Sequence, residues 1–155
     1  MDDKRVFLRH ALATVAYRTA RAVQGAPEEF GVFAGAGRTP GQILAHMGDL
    51  IEWALSIAEG KERWHESEPL PWAEEQKRFF AALGAFDAYL AGVEPLHVST
   101  RKLFQGPVAD ALSHAGQIAM LRRLAGFKIA GENYFEAEIS AGQVGAMQPE
   151  PVQRF

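Results

Sequence analysis

Asp110 and His114 are four positions apart, the interval that sets two side chains on one face of a helix about one turn from each other. A carboxylate and an imidazole so placed can grip one ion. His46 comes from a separate segment, Thr39-Pro40-Gly41-Gln42-Ile43-Leu44-Ala45-His46, and at helical periodicity falls at the margin of that segment's apolar stripe, where a groove-lining ligand belongs. Three nitrogen or oxygen ligands from two helices leave a coordination position open, the arrangement of a catalytic rather than a structural zinc-type site. An ion held this way lowers the pKa of bound water or of a thiol and so makes a nucleophile at neutral pH. The residues taken alone keep a second reading alive. An aspartate in the first turn of a helix is favoured by the helix dipole, and a histidine is more often a satisfied core or surface residue than a ligand.

The elements that must carry these residues are helical. Leu8, Leu12, Val15, Ala16, Thr19 and Val23 recur at three and four positions and predict a helix from about residue 3 to 24, with His10 packed within or beside it. Gly25-Ala26-Pro27 stops it, and the stretch through Gly35-Ala36-Gly37 reads as a loop. Thr39 is a capping residue and Pro40 suits the first helical position, so a second helix is expected from Pro40 to about Glu59, with Gly60 as its stop. A charged connection containing His65 leads to a third helix beginning near Pro71, on which Trp72, Phe79, Leu83, Phe86 and Leu90 face the core and Glu74 and Arg78 form an exposed pair. Gly92 ends it. After a connection carrying His97, Gly106-Pro107 opens a fourth helix to about Ala125, with Gly126 at its C-cap. This helix has an apolar face of Val108, Leu112, Ala115 and Ala119 and a separate stripe of Asp110, His114, Gln117 and Leu121. His65 and His97 read as solvated loop residues, and Trp53, Trp64 and Trp72 as core aromatics.

Composition narrows the function classes. At 155 residues, 48% of them hydrophobic, the chain fits one domain spanning 1–155 with a single core. A net charge of -3 provides no basic field for nucleic acid phosphates. The absence of cysteine removes disulfides, thiolate ligands and a cysteine nucleophile. No stretch approaches the roughly 20 apolar residues that span a bilayer, and the start is no signal-peptide core, so a cytoplasmic protein is expected. The fold expected is all-α, a four-helix bundle with an irregular C-terminal extension.

Two segments carry a resemblance. Thr39 to Met47 resembles the second-helix segment of the DinB/YfiT-like family, in which the histidine is a metal ligand, and His114-Ala115-Gly116-Gln117-Ile118 resembles that family's fourth-helix histidine motif. The order and spacing of the predicted helices agree across nearly the whole chain. Two departures stand out: Asp110 occupies a position where the family commonly has histidine, and Ala115 one where arginine is frequent. The resemblance implies a DinB/YfiT-like bundle and a divalent metal ion on His46, Asp110 and His114, with Zn or Ni ahead of Mn or Fe. It implies a hydrolase or a small-thiol-dependent transferase, a small-molecule substrate or thiol as partner, and a homodimer. The catalytic base stays open: Glu132, Glu136 and Glu138 qualify only if the tail folds back, and Gln117 is placed to orient a ligand. The competing reading is a non-catalytic helical bundle that binds a small ligand or a partner.

Overall fold

Asp2 accepts hydrogen bonds from the amides of Lys4 and Arg5, both at 2.9 Å, and so caps α1, Asp3–Val23. The structure is a computed structural model that describes residues 1–35 and 37–155, so Ala36 of the expected Gly35-Ala36-Gly37 loop lies outside the described residues. Thr39 opens α2, Pro40–Ala58, with a reciprocal capping box. Its hydroxyl accepts from the Gln42 amide at 3.2 Å, while the Gln42 side chain accepts from the Thr39 amide at 2.9 Å. Gly41, in the first turn, is needed for close packing, because a Cβ there would lie 2.8 Å from the Gly31 carbonyl oxygen of the short 3-10 turn Glu28–Val32. Helix α3, Trp72–Ala91, runs between Pro71 and Gly92 as the sequence predicts.

The last helix departs from expectation. Gly106-Pro107 does not open it: Ser99 caps an earlier start, α4, Thr100–Leu103, and a π-helical turn, Phe104–Val108, joins this to α5, Ala109–Ala125. Proline cannot donate to the carbonyl one turn back and its ring crowds it, and a wide turn removes both conflicts without breaking the rod. The turn also shifts the register. Leu103, Pro107, Val108, Ala111, Ala115, Ile118 and Arg122 are buried, and across the turn two adjacent residues, Pro107 and Val108, face inward where one would serve in a plain α-helix. Gly126, in the left-handed region at φ 86°, ends α5.

Helix α2 packs on α3 and α5, and α1 packs on the same two, giving a bundle of four long helices. Leu12 and Ala16, Leu44 and Ile51, Phe79 and Leu83, and Ala111 and Ile118 meet in its centre with no exposure. Each such large apolar side chain contributes about 1.5–3 kcal/mol. Among the described residues there is no β-sheet, and no helix is long and apolar enough to cross a membrane.

Arginines tie the seams. Arg9 forms a two-point bridge to Asp87 at 2.8 and 2.9 Å across α1 and α3. Arg122, 4% exposed, reaches from α5 to the carbonyls of Ala22 and Gln24 at the end of α1, at 3.1 and 2.6 Å. The expected exposed pair of Glu74 with Arg78 is replaced by a partly buried network. Arg78 turns to α2, where it pairs with Asp49 and, at 3.2 Å, Glu52, and it meets buried Glu75 of its own helix at 3.3 Å. His10 is exposed on α1 and not packed beside it.

The tail beyond α5 is irregular, and it folds back onto α1. Glu132, 5% exposed, accepts from the Tyr17 hydroxyl at 2.6 Å and from Arg21 at 2.7 Å, while Arg21 also donates to the Pro149 carbonyl. Backbone bonds from Asn133 to Gln153 and from Phe155 to Gly131 close the tail on itself. Burial, together with the bond to Glu132, pushes the Tyr17 phenol up to about 12. The folded state thus holds this proton more tightly than the unfolded chain, whose tyrosines titrate near ~10. The contribution is complete below that pH and is lost as pH climbs toward 12. In a phenolate absorbance titration one of the three tyrosines should ionise only near 12, with loss of tail packing, and Tyr17→Phe should abolish that late step. Three tyrosines titrating together would contradict the assignment.

Candidate metal centre

His46 and the pair Asp110 and His114 meet where α2 crosses α5. On α2, Ile43, Leu44, Met47 and Leu50 fill the core, and His46 lies at the edge of that stripe with a side chain 22% exposed. On α5, the π-turn sets Ala111 and Ala115 inward, leaving Asp110 and His114 at the seam. Without the extra residue, positions seven and eleven beyond Leu103 would continue Leu103's own buried face. A carboxylate there would have been placed in apolar surroundings at a cost of several kcal/mol.

The three donors converge. Asp110 Oδ1 lies 3.4 Å from His114 Nε2, and Asp110 Oδ2 lies 4.0 Å from His46 Nε2. The rings of His46 and His114 stand edge to face with centroids 4.8 Å apart, and one ligand atom from each of the three residues falls within 4.8 Å of the others. Donors around one tetrahedral ion are roughly 3.3 Å apart, as bond lengths of about 2.0–2.1 Å dictate, so small side-chain rotations suffice. The donor set fits a divalent cation: two imidazoles, one carboxylate, and no lysine or arginine in ion-pair contact with any of the three among the described residues.

The surrounding groups favour the ligand forms. His114 Nδ1 is 2.7 Å from Gln117 Oε1, an oxygen able to accept a proton from that nitrogen, an arrangement in which Nε2 faces Asp110. Burial, the adjoining His114 and the positive charge of Arg38 hold His46 below the usual imidazole range, which keeps it neutral and able to coordinate. Trp64 forms one wall, its ring 5.9 Å from that of His46 and packed in turn on Trp53. It is held there because the connection after α2 runs back along the helix, pinned by Ser56 to the Arg63 amide at 2.9 Å and by Asp49 to the Ser67 amide at 2.8 Å. The expectation that all three tryptophans are core aromatics holds for Trp72 and fails for exposed Trp64.

Sequence spacing does not single out a second group of ligand-type residues that the fold assembles. Asp49, Glu52 and His65 also lie within 4.8 Å of one another, with His65 Nε2 3.1 Å from Glu52 and 3.6 Å from Asp49. Here, however, Arg78 bridges both carboxylates and Ser67 donates two bonds to Asp49, so the lone pairs an ion needs are already engaged. This is an ion-pair network joining α2, α3 and their connection. His97 lies elsewhere, against Gly60 at the end of α2. Of the tail carboxylates, Glu132 is committed to Tyr17 and Arg21 on α1, and Glu136 and Glu138 are exposed. Ala115 is part of the core.

Replacing Gln117 by Leu removes the oxygen that faces His114 Nδ1. Zinc affinity measured by competition with a chromophoric chelator should fall by about 10-fold or more, without loss of helix content. Unchanged affinity would show that the contact does not orient a ligand. Compared with known proteins, the chain matches no family model, no curated protein and no solved structure.

Proposed function

We propose that this chain is a divalent-metal-dependent enzyme of the DinB/YfiT-like kind, with His46, Asp110 and His114 as the metal ligands. The observation that carries the reading is the convergence of these three side chains from two helices on one partly open point. A bound ion would supply Lewis-acid activation of water or of a small thiol, hence a hydrolase or a thiol-dependent transferase. The chain's own residues prepare for that chemistry. His46 is kept neutral, Gln117 offers His114 Nδ1 an acceptor, Asp110 offers charge from the first turn of α5, and Trp64 excludes solvent from one side. Imidazole and carboxylate donors suit Zn or Ni first, with Mn or Fe as the next candidates. By the same resemblance the protein works as a homodimer on a small molecule or thiol.

The ligand set is tested by metal analysis. Protein purified without a polyhistidine tag should carry near-stoichiometric metal by mass spectrometry, and His46→Ala and His114→Ala should each lose most of it. Metal-free wild type that also fails to take up added zinc or nickel would overturn the enzyme reading and leave a ligand-binding bundle as the better account.

A further inference from the structure

Two depressions flank the His46 and His114 pair, and Arg38 lines both. The larger, about 610 Å³, starts at His114 and is walled by Ile43 of α2 and by Met120, Leu121 and Leu124 of α5. Met120 and Leu124 are 55% and 63% exposed, an apolar strip left in solvent on successive turns of α5. The smaller, about 240 Å³, lies on the His46 side, where Glu66 and Glu68 add negative charge. Among the described residues Arg38 is the only lysine or arginine lining the larger groove, and it forms no ion pair with a carboxylate. The seam arginines differ in this respect, since Arg9 is paired with Asp87, Arg21 with Glu132 and Arg78 with Asp49.

A cation lining a groove that is largely apolar, and forming no ion pair with a carboxylate of the chain, is complementary to a ligand with one anionic end and one apolar end. The negative side chains on the opposite flank turn such an anion toward the groove. We infer that the centre takes a small amphipathic anion, whose carboxylate or comparable group pairs with Arg38 and whose apolar body lies along Ile43, Met120, Leu121 and Leu124. The inference rests on the proposed metal centre only for which part of the ligand reacts, since the binding itself belongs to the groove.

The test uses the full chain, labelled with nitrogen-15 and stripped of metal with a chelator, titrated with octanoate, octanol and octylamine and followed by amide chemical shifts. Octanoate should shift the amides of Gly116, Met120 and Leu124 saturably and bind about tenfold more tightly than octanol. Arg38→Gln, a change at an exposed side chain, should reduce octanoate to the affinity of octanol and leave octanol unchanged, and Leu124→Gln should weaken both. Equal binding of octanoate and octanol, tighter binding of octylamine, indifference to Arg38→Gln, or shifts confined to the separate apolar depression at Phe7 and Phe104 would each overturn the proposal. Because the protein is metal-free, a failed metal analysis leaves this result standing, and a failed titration leaves the metal ligands untouched.

Discussion

The candidate centre depends on one backbone constraint, the wide turn at Phe104–Val108 that lets Pro107 lie inside a continuous helical rod. Its extra residue rotates everything that follows by about a quarter turn or slightly more. Ala111, Ala115 and Ile118 thereby become the buried face of α5, and Asp110 and His114 are carried to the seam with α2. Helix α5 packs on α2 along this face, and His46 meets the pair at the edge of that contact. Packing and site geometry are therefore consequences of a single local accommodation of proline.

Electrostatics separates the two groups of ligand-type residues that this packing creates. At Asp49, Glu52 and His65 the guanidinium of Arg78 neutralises the carboxylates and links three segments of chain. At His46, Asp110 and His114 no such cation intervenes among the described residues, and Arg38 is near enough only to help keep His46 unprotonated. Proximity of donors is shared by both groups. Availability of their lone pairs distinguishes them, and it favours the first as the place where a cation would bind.

Much of this is legible in the sequence because the signals are local. Thr39 followed by Pro40 and Gln42 satisfies the first turn of α2 by itself, and the spacing of Asp110 and His114 survives any error in where their helix begins. The start of α5 misleads for an equally physical reason: Gly106-Pro107 has the local character of a helix opening, and only the burial of Leu103 and the width of the turn reveal a helix already under way. Arg78 likewise has an obvious neighbour one turn back in Glu74, but Asp49 is reached only through tertiary packing. The tail lacks periodicity altogether, and its anchoring through Glu132 depends on Tyr17 and Arg21, which lie 115 and 111 residues earlier.

A single ion held by His46, Asp110 and His114 would be visible in a zinc-soaked crystal measured on both sides of the zinc absorption edge. The account predicts an anomalous difference peak bounded by Nε2 of His46, Nε2 of His114 and the Asp110 carboxylate; a peak at Asp49, Glu52 and His65 instead, or none at either place, would contradict it.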